Sequence, residues 1–377
     1  MKKTIILSIM ALAFAFTNAL KAEMSLSGYT EFFAGSADQS TYNGVDNVSA
    51  IDQAGLDNGN YSRVTANYST TLDSGIDVGG TMNLTTRDCQ GDKTGNCNVV
   101  NFNMVNFSGN FGTISIGERF AAGAAMLSRL TASGPSAEPD GGNIGIFYSG
   151  GPTTVKYGSF NEANYADNAM KVLYTSNVFS GFSFAVSYAS ATRNTGLAST
   201  RNQQPAAAAG NGDFGNFNDL VSAFGKYAID IDGIGVELVY GQQIGNAGRI
   251  GNTSYNDLDE TSYSALLTYG NFKADYRKND SGNSGYAKGV NTGNVEGTSI
   301  CGLYTMGNTA VGACQVNSSQ NDANNFTNDA TTRTYSAEYQ LGGGVALGIV
   351  YFDVEQTANS VDRTDVTGLA TKLSIGF

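Results

Sequence analysis

Four cysteines, three arginines of one strand parity and no histidine bound the chemistry that this 377-residue chain can carry. Without histidine a Ser-His-Asp nucleophile is excluded, and a zinc hydrolase site nearly so. The cysteines fall in two pairs rather than in the closely spaced clusters that hold structural zinc. Cys89 and Cys97 bracket a polar run of seven residues, and Cys301 and Cys314 are symmetric about Gly307-Asn308. If that dipeptide closes a two-residue hairpin, Cys301 faces Cys314 in a non-hydrogen-bonded pair, where side chains of an antiparallel ladder come closest. Arg63, Arg87 and Arg119 each lie on the polar side of an alternating stretch, where basic groups would line an aqueous surface. Asp257, Asp259 and Glu260 could bind Ca²⁺ loosely, although loop acids of this kind are more often simply solvated. No other cofactor or metal is expected.

The elements that position these residues read as strands. Charged residues are only 14% of the chain, against roughly 25% in soluble domains. Glycine (48) and aromatics (20 Tyr, 20 Phe) are abundant, and proline is rare (4). After the N-terminus no apolar run is long enough to cross a bilayer as a helix. Instead, segments of about ten residues alternate apolar and polar side chains, the signature of a strand with one greasy and one wet face. In residues 61–72, Val64, Ala66 and Tyr68 oppose Arg63, Thr65 and Asn67. In 76–87, Val78, Met82 and Leu84 oppose Thr81, Asn83, Thr85 and Arg87. Seven short turns, among them Asp73-Ser74-Gly75, Gly270-Asn271 and Gly307-Asn308, join sixteen such strands. Long loops rich in Asn, Asp, Gly, Ser and Thr join the strands at the other end, an asymmetry of transmembrane barrels. All four prolines (135, 139, 152, 205) fall in these loops, as a ladder with every N–H paired demands.

The first 22 residues read as a secretion signal. Lys2 and Lys3 precede an apolar core from Ile5 to Phe16, and Ala22 marks the cleavage point, with Ala19 as an alternative. Residues 23–377 then form a single barrel domain. Removing Lys2, Lys3 and Lys21 leaves 18 basic residues against 33 acidic ones, a formal −15, which argues against nucleic acid as a partner. Export would carry the cysteines into an oxidising compartment, where both pairs are expected to bridge.

One connection stands apart. Residues 121–167 are far longer than ordinary loops. Within them 144–148 and 153–160 could pair as a hairpin, which would raise the strand count to eighteen; the favoured reading is a single long excursion in the third loop position. The chain also closes on an alternating strand, Leu369 to Phe377, with Leu373, Ile375 and Phe377 on its apolar side.

These features together resemble the general porins of Gram-negative outer membranes, in particular the alphaproteobacterial, Rhodobacter-like type. Asp73-Ser74-Gly75-Ile76, the run Phe107 to Glu118, Tyr339 to Val345 and the terminal Phe377 carry the resemblance. It implies an all-β, sixteen-stranded barrel, usually a homotrimer, set among outer-membrane lipid and lipopolysaccharide. It also implies that the third loop folds into the lumen, with small hydrophilic solutes and ions passing by diffusion. In that family third-loop acids face a basic cluster on the wall. Here Glu138 and Asp140, within Pro135–Gly142, would supply the acids, and Arg63, Arg87 and Arg119 the cluster. Leu373, Ile375 and Phe377 would act as the assembly signal. The acid excess motivates an expected preference for cations. A substrate-specific channel, or an adhesive or structural surface barrel with a plugged lumen, remains the alternative.

Non-reducing mass mapping of the secreted protein is expected to return the Cys89–Cys97 and Cys301–Cys314 linked peptides. Four free thiols would exclude both bridges.

Overall fold

The computed structural model describes residues 23–42, 45–46, 55–85, 100–118, 120–127, 130, 147, 169–191, 217–247, 249–250, 253–289, 293–321, 327–358 and 361–377. Sixteen strands form the wall. In chain order they are β1 (Glu23–Tyr42), β2 (Asp57–Thr71), β3 (Asp77–Thr85), β4 (Val100–Gly109), β5 (Gly112–Glu118) and β6 (Met170–Thr175). Then come β7 (Phe182–Ala191), β8 (Phe217–Ile231), β9 (Ile234–Ala247), β10 (Leu258–Tyr269) and β11 (Phe272–Gly282). The circuit ends with β12 (Gly293–Met306), β13 (Thr309–Asn321), β14 (Thr327–Gly342), β15 (Val345–Ala358) and β16 (Val361–Gly376). Every neighbour in sequence pairs antiparallel with the next, and β16 pairs back onto β1, so the sheet closes. Two residues, Val45–Asp46, pair with the loop end of β1. The circuit closes without residues 144–160, so the eighteen-strand alternative fails.

The short turns follow their residues. Ser180-Gly181 and Asp232-Gly233 each carry two consecutive positive φ angles, the two-residue geometry whose twist matches that of the flanking strands. The strands at the latter turn end at Ile231 and resume at Ile234. Most of the sixteen strands also run further toward the long loops than their alternation indicates. β2, for example, begins at Asp57, four residues before the alternation of 61–72.

Alternation sorts the side chains onto two faces. The outer face presents Leu238, Tyr240, Leu267, Ile300, Met306, Leu347, Ile349 and Leu369, all exposed. Aromatic rows bound this apolar band. Tyr269, Phe272 and Tyr304 stand in register at the short-turn end. Nearer the long loops, Tyr240 faces Tyr263 and Tyr335 faces Tyr351, with ring centroids 6.3 Å apart in the second pair. Beyond that upper row the outer face turns ionic. Lys278 meets Glu296 at 3.0 Å, and Arg333 meets Asp353 at 2.9 Å and Glu355 at 3.3 Å. An apolar band flanked by aromatic girdles and then charge is the profile of a wall embedded in lipid. Glu118 lies on the outward parity at the loop end of β5, two positions beyond Ile116 and in register with Asn103 and Met170. It therefore stands above the apolar band rather than within it.

The seam between β16 and β1 is held to its last residue. Glu31 pairs with Ser374 and Tyr29 with Gly376. Gly28 N–H then donates to Phe377 O, and Phe377 N–H to Gly28 O, both at 2.9 Å. The Phe377 ring lies over Gly28, where any Cβ would overlap it. Leu373 and Ile375 continue the outward row of the same strand, while Lys372 points into the barrel.

Deleting Phe377 removes both seam bonds, a loss of about 2 kcal/mol at roughly 1 kcal/mol per bond. The expected result is a lower yield of folded, heat-modifiable barrel on gels and a lower urea midpoint, with unchanged conductance in the barrels that do form. A normal folded yield would contradict this reading.

Candidate functional site: the inner wall and its loop

The inward parity gathers serine, threonine, asparagine and charge. Thr65, Asn67, Thr81, Asn83 and Thr85 line β2 and β3, and Asn83 donates to Thr65 Oγ1 at 2.9 Å. Arg63 shares this face, as its parity indicated. Its guanidinium sits 5.6 Å from the Tyr29 ring centre and 5.5 Å from that of Tyr61, and its Nε donates to Tyr61 Oη at 2.9 Å. Arg87, Arg119, Glu138, Asp140, Cys89 and Cys97 lie outside the described residues.

The connection between β5 and β6 turns into the barrel and meets the inner wall at three stations. The first is a five-residue helix, α1 (Ala122–Met126). Its opening amides have no intrahelical partner, and wall serines take them: Ala122 N–H donates to Ser187 Oγ at 3.0 Å and Gly123 N–H to Ser222 Oγ at 3.2 Å. Ala122, Met126 and Leu127 then pack on Leu173, Ala185, Phe224 and Val239. Phe224 can lie flat against the wall because Gly241 beside it has no side chain to collide with.

The second station is Leu130. Its N–H donates to Asp275 Oδ2 at 3.0 Å, and its side chain covers Cys301 and Cys314. These two cysteines are direct cross-strand partners on β12 and β13, bridged, with Cα atoms 4.1 Å apart. Asp275 Oδ2 also lies 3.2 Å from Arg277 Nε as an ion pair, and both side chains are sealed from solvent.

The third station is Phe147, which is fully buried. It stacks on Phe352 with centroids 6.3 Å apart, within a patch formed by Phe33, Tyr61, Val350, Val354 and Val366. Phe352 in turn lies over Gly368, where a Cβ would strike the ring. Two aromatic platforms, each floored by a glycine of the neighbouring strand, thus receive the loop. The readable signal for the second platform was β15, which is apolar on both faces: Leu347, Ile349 and Tyr351 point outward, and Val350, Phe352 and Val354 inward.

A further charged group lies on the short-turn side of the Phe147 patch. Lys372 Nζ is 3.3 Å from Glu31 Oε1 and 3.4 Å from Glu338 Oε2. Lys226 pairs with Glu237 at 3.1 Å across β8 and β9. Of the three acids considered for Ca²⁺, Asp259 faces outward to Gln242, Glu260 faces inward to Ser262 and Ser281, and Asp257 accepts from Ala247 N–H. They do not converge.

A family model described as Gram-negative porin matches residues 8–360. Among solved structures, the outer membrane channel DcaP of Acinetobacter baumannii superposes with a TM-score of 0.63 at 10% identity, over 96% of this chain and 99% of that one. The anion-selective porin from Comamonas acidovorans gives 0.62 at 15% identity, over 95% and 100%. OmpT of Vibrio cholerae in its trimer form gives 0.57 at 12% identity, over 94% and 99%. At these identities the likeness is one of fold. No curated protein matches the chain.

Phe147→Ala empties the aromatic seat, a truncation that costs about 3–5 kcal/mol at a packed site. The expected effect is a loosened loop, read as noisier single-channel current and faster proteolytic nicking within 121–167, in a barrel that still closes and conducts. Wild-type current noise and nicking rates would remove Phe147 from the anchoring role.

Proposed function

The chain belongs to the Gram-negative porin family, and from that membership we propose a water-filled channel that passes small hydrophilic solutes and ions by passive diffusion. It resides in the outer membrane and has the fold of a channel rather than of an enzyme. The observation that carries the reading is the division of the wall. Its outer face is apolar between two aromatic rows, while its inner face holds polar and charged side chains with a loop secured inside. A path lined this way filters by size and by charge.

Arg63 is the wall cation that we assign to the narrowest part. Glu138 and Asp140 of the loop are its proposed counterparts, and Arg87 and Arg119 its proposed companions. Opposed charges across a narrow passage order water and discriminate dipolar solutes. We assign a preference for cations. Supporting it are the acid excess of residues 23–377 and the pairing of the inward Lys226 with Glu237 and of Lys372 with two glutamates. The Comamonas acidovorans protein is named as anion-selective, so we attribute the sign to the lining charges rather than to the fold.

A homotrimer is the assembly we favour. Thr30 and Ser62 face outward within the apolar band and satisfy each other at 3.1 Å, a polar spot that suits a protein neighbour better than an acyl chain. The V. cholerae structure named as a trimer form points the same way. The ionic rim of Lys278, Glu296 and Arg333 would meet the headgroups of lipid and lipopolysaccharide. A narrower, substrate-selective channel is the second reading, favoured by the complete burial of Glu260, Arg277 and Asn279 on the inner wall; it predicts saturable uptake.

The refolded protein in a planar bilayer is expected to conduct in steps and, under a KCl gradient, to give a reversal potential of cationic sign. An anionic sign would refute the preference, and absence of conductance would refute the channel.

A further inference from the structure

We infer that Lys372 is a selectivity-determining residue of the lumen, acting as a counterweight to Glu31 and Glu338 in a charged row on the short-turn side of the Phe147 seat. This inference rests on the channel reading above. The three side chains come from β14, β16 and β1, and the strand between two of them is opened for the contact. Register places Glu338 beside Gly348, and Gly348 beside Lys372. Glycine at that position leaves no side chain between the lysine and Glu338, so Nζ reaches across β15 to 3.4 Å while holding Glu31 at 3.3 Å on its other side.

Two observations separate this row from a merely structural ion pair. The first is solvent access. The side chains of Lys372, Glu31 and Glu338 are 14%, 13% and 17% exposed. Those of Arg277 and Asp275, by contrast, are 1% and 0% exposed. Ions in the lumen therefore meet the first group and not the second. The second observation is height. Lys372 and Gly348 lie four positions nearer the short turns than Gly368 and Phe352, where the loop is seated. A solute leaving the loop region passes this row next.

The neighbouring charge on the same arc is Arg63 on β2, reached through the pairs Tyr29–Arg63 and Glu31–Tyr61. Around the wall the sequence is thus Glu338, Lys372, Glu31, Arg63, alternating in sign and summing to zero. Across the lumen Lys226 and Glu237 cancel at 3.1 Å. A balanced row adds no sign of its own, and removing one member tips it. Lys372 is the member in contact with both acids, so its loss uncovers two carboxylates at once.

The test uses the full-length protein in planar bilayers under a KCl gradient, comparing wild type, Lys372→Gln, Lys372→Arg and Glu31→Gln/Glu338→Gln. One unit charge several ångströms from the ion path changes local ion concentrations by about two- to threefold in water-like dielectric. The same charge acts on anions in the opposite sense, so Lys372→Gln is expected to raise the cation-to-anion permeability ratio by about four- to ninefold. The double glutamine variant should lower the ratio by more, and Lys372→Arg should leave it at the wild-type value. If the double variant fails to insert, each single glutamine variant should show part of its shift. Conducting variants with wild-type reversal potentials would overturn the inference while leaving the channel intact. An equal shift in Lys372→Arg would assign the effect to packing and overturn it as well. A wild-type protein that does not conduct would instead overturn the channel reading.

Discussion

Hydrocarbon offers a peptide group nothing to bond with. Each unpaired N–H or C=O left in lipid costs several kcal/mol, and the rest of this structure follows from avoiding that loss. The sheet must end where it began, so β16 lies along β1 and the final residue exchanges two backbone bonds with Gly28. Once the ring is closed, side chains can only point toward lipid or toward the axis. The alternation of residues becomes a sorting of chemistry: Leu347, Ile349 and Tyr351 on one side, Gly348 and Phe352 on the other.

Much of this is legible in the sequence because the side-chain period of a strand is two and the turns carry their own markers. The strands near residues 260–280 and 298–317 could be placed from Gly270-Asn271 and Gly307-Asn308 alone, and the facing of Cys301 and Cys314 follows from counting outward from the second turn. The inward parity of Arg63 was readable for the same reason. Strand ends toward the long loops were not, since β1 and β14 pass gradually from apolar band to polar rim with no residue that forces a stop. The eighteen-strand alternative rested on two short alternating runs, and such runs occur equally in a segment that never joins the wall.

The stations of the loop were harder to anticipate. Phe147 sits between Ile146 and Tyr148 in a loop whose local pattern resembles a strand, and its partner Phe352 is more than two hundred residues away. What fixes the contact is three-dimensional: a ring on one strand, a glycine on the next, and a free aromatic to stack on the result. The same logic explains α1, whose composition signals little. It becomes a helix where Ser187 and Ser222 stand ready to accept its first amides and Phe224 offers a flat floor. Loop and wall were each partly readable, but the match between them was not, because it depends on which residues the closed ring sets side by side.

The aromatic-on-glycine platforms also bear on how such a protein can vary over generations. Gly368 is confined by the Phe352 ring, and that ring holds Phe147. A lineage cannot enlarge the glycine while the ring remains, yet once the ring is lost the glycine is free to drift and the loop's tether is gone. The three positions are therefore constrained together, because a side chain at 368 would have to displace the ring and with it the seat of Phe147. Channels descending from this one should thus differ in discrete steps at this seat, with intermediate combinations rarely surviving.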